Sequence, residues 1–433
     1  MRGTVGSGTI ALSVYAPKRP PREPDGSHQA FENGSSFSAL ATGEALRADR
    51  ATDFGWFGLP VGPERDWIPR QCQAACALWA QEVSSERKPL NTLEDFHHVT
   101  RYLSEITSAR INRDHVLIYA STDAAVAAVL GTCARGGDRI AMPTLMAPNF
   151  LRIANSLNLD IVGLHSDEHG LLPESFELAC WSRPIRALLV QPDGQFGTGA
   201  VMPTRRRQQV AEIARRFDVL VLEDGTPGAL RERTAPSLFS FNAQHVVHLT
   251  GLSGALSRFL NASLLVFGEG STLFGPLAAS AMIDRPNFID SFLAAECFGG
   301  GLHRELASWH KREAHQRAAI AAAAFGASLQ GNAGGYQCAV KLPMGWAGDL
   351  ATTRIRKTGL SIGLPSDYTL DGAASGPLGR DRSQLLVLGL GATGSIAALQ
   401  RDLSMIVDVL GGPQRPLPAK PSSTQPPSRS VKS

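Results

Sequence analysis

The sequence contains no uninterrupted apolar run of membrane-spanning length, which excludes a helical membrane protein and leaves no membrane partner to expect. The short stretch IALSVYA near the start is broken by Ser and Tyr and flanked by Gly, so it does not read as a secretory signal. A cytoplasmic location is the default expectation. Surplus charge is also scarce: a net +3 over 433 residues does not by itself imply a large nucleic-acid-binding surface. The six cysteines, Cys72, Cys76, Cys133, Cys180, Cys297 and Cys338, form no CxxC pair and have no His at metal-ligand spacing, so no metal site is expected. Cys72 and Cys76 share one face of a helical stretch and read as small packing residues.

What is present is a hydrophobic fraction of 43%, a charged fraction of 19% and a mean hydropathy of -0.06, the composition of a large soluble globular chain. The length suits two domains, or one large domain with an appended layer. Arg205, Arg206 and Arg207 open a helix, where three cations oppose the macrodipole, and they read as a solvated helix face rather than a phosphate site.

Residues 185 to 225 carry the clearest pattern: an apolar strand IRALLVQPD, a Gly-rich turn GQFGTGAVMP, a helix TRRRQQVAEIARRFD, and a strand ending in acid, VLVLEDG. The continuous Val/Leu runs fit a parallel sheet covered on both faces. The same alternation extends over residues 115–285 through HVLIYA, DRIAMP and DIVGLHS. It predicts right-handed crossovers and a ligand site at the carboxyl ends of the strands. Residues 51–114 read as an N-terminal segment with leading helices. Residues 286–410 read as a smaller α+β unit with the strand CAVKLP, a helix at 348 to 358, and a strand pair made by GLSIGLP and QLLVLGLG. Residues 1–50, rich in Gly, Pro, Ser and Arg, read as a flexible arm, and the Pro/Ser-rich residues 411–433 as a disordered tail.

The Gln195-Phe196-Gly197-Thr198-Gly199 turn, the Glu223-Asp224 pair and the Leu252-Ser253-Gly254 turn, in that order, resemble the aminotransferase-like domain of GntR/MocR-type regulators, a branch of the fold type I aminotransferases. The resemblance covers roughly residues 50 to 410, with further support from the stretches 93–121 and 299–320. It implies a fold type I architecture: a large, mostly parallel sheet with helices on both faces, a smaller α+β domain, and a homodimer with pockets near the subunit interface. It also implies pyridoxal phosphate as the cofactor. In that family an aspartate pairs with the pyridine nitrogen, here Asp224, and a lysine follows the serine of the turn, where this chain has Gly254 after Ser253. The opening MRGTVGSGTIAL resembles the wing of the DNA-binding domain that precedes such domains, with chance similarity in a Gly-rich segment an equal reading. DNA binding is expected only if a winged helix is supplied upstream of Met1.

Position by position, the resemblance predicts a depleted cofactor site. A phosphate cup at Ala120-Ser121-Thr122 has Ser121 in place of a glycine and Asp123 beside the anion, with Asp123 read as the cap of its helix. Further phosphate anchors are replaced by Gly251 and Asn261. Losing two charge-assisted hydrogen bonds costs roughly 3 to 6 kcal/mol, about two to four orders of magnitude in affinity. Arg258 is the candidate substitute anchor. The ring-stacking position is Leu145 or Met146, the tyrosine after the pairing aspartate is Thr226, and the substrate-carboxylate arginine is Val387, with Arg380 and Arg382 nearby in sequence. Lys88, Lys311, Lys341 and Lys357 lie in segments not expected to reach Gly254.

A competing motif, Gly389-x-Gly391-x-x-Gly394 with Asp408 beyond it, has the form of a dinucleotide fingerprint but lacks the strands a Rossmann unit needs after it. The expectation is therefore a non-catalytic aminotransferase-like domain acting as a sensor or scaffold. The alternatives are an active transaminase whose lysine lies elsewhere, and a MocR-type regulator missing its N-terminal domain.

Overall fold

The computed structural model describes residues 52–85, 96–232, 235–330, 335–370 and 384–411. The arm and wing readings over residues 1–50, the tail after Gly411, Lys88, and Arg380 with Arg382 lie outside the described residues. All described residues belong to one compact unit.

Seven strands form the main sheet: β1 (Val116–Tyr119), β2 (Arg139–Pro143), β3 (Asp160–Leu164), β6 (Ala187–Val190), β7 (Leu220–Asp224), β8 (Val246–Gly251) and β9 (Ser263–Val266). A two-stranded ribbon, β4 (Ser166–Asp167) with β5 (Gly170–Leu171), interrupts the series. The spatial order is β1-β9-β8-β7-β6-β2-β3. The pairs from β8 through β7, β6 and β2 to β3 are parallel, and only β9 runs against its neighbours. The sheet is therefore mostly parallel, with helices between the strands.

Strand alternation explains the apolar runs. Leu188 and Val190 of β6 enter one core together with Val221, Val246 and Leu264. Their neighbours Ala187 and Leu189 enter the other, with Leu222, Val247 and Leu265. Each face is covered by helices, so both residue sets must be apolar. Burying each Val or Leu contributes about 1.5–3 kcal/mol.

A second sheet holds β10 (Leu329–Gln330), β11 (Gln337–Lys341) and β12 (Leu385–Gly389), antiparallel throughout. It packs with the helices Leu302–Phe325, Gly348–Arg356 and Ile396–Gly411 around Val340, Leu386, Leu388 and Ile406. The expected pairing of GLSIGLP with QLLVLGLG does not occur: β12 pairs with β11, and Ser361 makes a lone bridge to Asp53. The segment Phe54–Gly58 takes the open edge of β12 instead, with Gly389 N–H donating to the Phe54 carbonyl at 2.7 Å.

Two helix readings also change. Arg207 is fully buried: its guanidinium pairs with Asp193 at 2.6 Å and donates to the carbonyls of Met202, Pro192 and Pro236. Arg206 grips Asp167 with both terminal nitrogens, at 2.6 and 3.0 Å. Arg206 and Arg207 thus clamp neighbouring loops, while Arg205 alone of the three is exposed as a solvated helix face would be. Periodicity missed this because the partners come from distant turns. Cys72 packs against the core, whereas Cys76 is exposed.

Candidate functional site

The loops following β6, β7 and β8, the start of the helix Thr122–Cys133 and the start of β11 meet around a cavity of about 370 Å³. Its size suits a small molecule, and its place at the carboxyl ends of parallel strands is where α/β sheets hold ligands. A larger groove of about 730 Å³, near Arg110 and His115, opens at the opposite end of β1. Asp224, Ser121, Thr122, Ser253 and Gly254, drawn from separate stretches of sequence, all line the strand-end cavity. Arg258 is not among its lining residues. Its guanidinium lies over the Trp56 ring, 4.7 Å from the centroid, a cation–π contact that turns it aside.

At the helix start, the Ser121 hydroxyl accepts from Ala124 N–H at 3.1 Å and is the N-cap. Asp123 is not the cap. It lies in the first turn, and its carboxylate accepts from the Asn149 amide at 2.7 Å. A helix N-terminus favours anions through its free N–H groups, but a fixed carboxylate already supplies that charge here. Gly251, closing β8, donates its N–H to the Thr226 hydroxyl at 2.9 Å, and the Thr122 hydroxyl lies where a β-carbon on residue 251 would go. A β-carbon on Gly254 would come 2.8 Å from the Thr226 methyl. Asn261 donates to Asp290, not to the cavity.

The acidic pair at the end of β7 splits across the sheet because successive residues face opposite sides. Glu223 accepts from the Ser237 hydroxyl at 2.7 Å, from the N–H groups of Leu238 and Phe239, and from His248 at 3.1 Å. Burial pushes its carboxyl up, but these hydrogen bonds and the Arg207 charge prevail and hold it at about 2. Asp224 points the other way and lines the cavity. It accepts from Gln191 at 2.8 Å and from Thr226 N–H at 3.0 Å, and here burial wins, raising its carboxyl above the usual range. The bond to Thr226 N–H is a local turn cap.

Two further expected cofactor positions belong to an apolar cluster beside the cavity. Leu145 and Val387, read as the stacking and substrate-arginine positions, pack with Phe196, Ala339 and Tyr368 in one buried cluster. Phe196 forms its cavity-facing side, edge-to-face with Phe57 at 4.9 Å. The other stacking candidate, Met146, sits in the sheet core. The Tyr368 hydroxyl accepts from Val387 N–H at 3.1 Å, which ties the cluster to the strand backbone.

Sequence reasoning named Phe196 only as part of the Gly-rich turn and passed over Gln191, Tyr336 and Gln337; all four also line the cavity. Only Gln191, next to a strand end, carried a usable signal. Tyr336 is fixed from behind by buried His310, whose Nδ1 lies 2.8 Å from the phenol while Nε2 donates to the Leu256 carbonyl at 2.8 Å. The dinucleotide-like glycines have a structural use. A β-carbon on Gly389 would strike the Trp56 carbonyl, and one on Gly391 the Gly58 carbonyl. Arg317, buried in the helix Leu302–Phe325, then clamps the loop through the carbonyls of Leu390 and Thr393.

These residues do not fit covalently held pyridoxal phosphate. Among the described residues lining the cavity there is no lysine or arginine. Lys311 pairs with Glu232 at 3.2 Å, Lys341 ends β11 of the second sheet, and Lys357 is the C-cap of the helix Gly348–Arg356.

The architecture is that of the fold type I, aspartate-aminotransferase-like enzymes. The crystal structure of an archaeal alanine:glyoxylate aminotransferase superposes with a TM-score of 0.74 at 15% identity, covering 88% of this chain and 96% of that one. Sequence relatives include helix-turn-helix regulators and aminotransferases. The uncharacterized HTH-type transcriptional regulator YdeF of Bacillus subtilis is 33% identical over 144 residues, 33% of this chain and 31% of that protein. An aromatic amino acid aminotransferase of Schizosaccharomyces pombe is 30% identical over 94 residues, 20% of each chain. The chain thus spans a third or less of the length of these curated relatives. No family model matches it.

Proposed function

We propose that this chain is an aminotransferase fold released from pyridoxal-phosphate chemistry, its strand-end cavity serving as the ligand site of a sensor or scaffold that works as a homodimer. The observation that carries the reading is the cavity lining around Gly254, which offers no amine nucleophile among the described residues. The apolar cluster of Leu145, Phe196 and Val387 supports it, because a pocket kept for catalysis would keep polar groups where charge must be held. The test is a spectrum of the purified chain titrated with pyridoxal phosphate. The expected result is no visible band that borohydride fixes to the protein, and a fixed stoichiometric adduct overturns the reading.

The match to YdeF favours a second, compatible reading, a ligand-responsive part of a transcription regulator. An in-frame winged-helix coding sequence ahead of Met1 supports it, and an immediate upstream stop codon removes it.

A further inference from the structure

Among the described residues, the strand-end cavity is lined by acidic groups and by no basic ones. Its ionisable lining residues among those described are Asp224, Asp123 and the Tyr336 phenol, with no arginine, lysine or histidine. Asp224 is buried, 5% exposed, whereas Asp123 is exposed. A carboxylate offers about four lone-pair sites. On Asp224 these receive the Gln191 amide, the Thr226 N–H and the Thr226 hydroxyl, which leaves room for one donor arriving from the cavity.

Four aromatic side chains share the lining with that carboxylate. Phe57, Phe150, Phe196 and Tyr336 line the same space. Ring faces carry negative potential, so they attract a cation and add contact area for a flat ligand. An anionic group entering the cavity would be stripped of water beside Asp123 and Asp224 with no counter-cation in the described lining, an unfavourable exchange. A protonated amine meets the opposite balance.

We propose that the cavity selects an aromatic amine in its cationic form, the ring lying among Phe57, Phe196 and Tyr336 and the charged nitrogen donating to Asp224, and that it rejects phosphorylated or carboxylated aromatics. This assignment rests on the non-catalytic reading above and adds the ligand's chemical class. It inverts the charge preference of a site built for a phosphorylated cofactor.

Three probes sharing one ring system test it: tryptamine, tryptophol and indole-3-acetate, which carry a cationic, a neutral and an anionic side chain. Isothermal titration of the full chain is expected to show tryptamine binding once per chain, at least tenfold tighter than indole-3-acetate, with tryptophol between them. Asp224→Asn, checked for folding by circular dichroism, is expected to bring tryptamine to the tryptophol level. Ser253→Phe, which adds a ring to the cavity lining and leaves Asp224 in place, is expected to abolish binding of all three. Equal or tighter binding of indole-3-acetate, heat from none of the probes, or tryptamine binding unchanged in both variants overturns the proposal. A borohydride-fixed pyridoxal adduct instead overturns the non-catalytic reading, so the two failures are distinguishable.

Discussion

The Thr122 hydroxyl occupies the volume that a β-carbon on residue 251 would need, and it bonds the Ser263 hydroxyl across 3.0 Å. Gly251 and Thr122 therefore form one arrangement. Residues in contact couple energetically.

Gly251→Ser should accordingly destabilise the fold by about 1–3 kcal/mol through overpacking. Adding Thr122→Ala should recover more than half of that loss. Urea denaturation of the two single variants and the double variant measures the coupling, and strictly additive effects would show that the overlap is relieved elsewhere.

Gly254→Lys adds an amine to the cavity lining but restores no anchor for a phosphate, and its β-carbon crowds the Thr226 methyl at 2.8 Å. The variant should fold with reduced stability and still give no saturable borohydride-fixed band at stoichiometric pyridoxal phosphate. Absorbance titration decides the matter. A tight stoichiometric adduct would mean that one residue separates this cavity from the cofactor.

The buried pair of Arg207 and Asp193, 2.6 Å apart, ties the helix Thr204–Phe217 to the loop after β6 that lines the cavity. Arg207→Met leaves Asp193 uncompensated and should cost about 3–5 kcal/mol. The double variant Arg207→Met/Asp193→Asn should cost less than the single one. Chemical denaturation tests the order of the two.

Acid should weaken the protein in two windows. Burial lowers the His310 pKa from 6.5 to about 4, and the Tyr336 phenol and Leu256 carbonyl suit the neutral ring. Above pH 6.5 the ring is neutral in both folded and unfolded chains. As pH falls toward 4 only the unfolded chain takes up the proton, so stability declines across that interval by at most about 3 kcal/mol. Glu223 acts lower, its contribution being lost as pH falls from 4.5 through about 2. Melting temperatures of the parent and His310→Asn between pH 7 and pH 4 should converge as pH falls, and parallel curves would assign the decline to other groups.

Much of the main sheet was legible because its strands are buried on both faces and write continuous Val/Leu runs, as in Leu188 to Val190 and Val246 to Val247. The second sheet was less so. The apolar stretch GLSIGLP looks like a partner for β12, but backbone pairing carries no side-chain signature, and Phe54–Gly58 occupies that edge. Asp224, Ser121, Thr122, Ser253 and Gly254, which the sequence singles out because strand ends and turns mark themselves, line one cavity. Phe196 and Tyr336 were not singled out as lining it, since a buried aromatic in a loop looks the same whether it faces a core or a cavity. Arg258 was misplaced for a related reason: a cation's partner depends on which ring comes within reach, here Trp56, some two hundred residues away.

The sequence by itself determined the alternation of strand and helix, the position of the strand ends, and the absence of a lysine after Ser253, because these follow from local periodicity and residue identity. Only the tertiary structure decided that Leu145, Phe196 and Val387 close on one another, that the Thr122 hydroxyl fills the space beside Gly251, and that the two neighbours Glu223 and Asp224 meet opposite environments. Those outcomes depend on distances between residues remote in the chain, and on burial, which sets whether a carboxylate is held charged by donors or driven toward its neutral form.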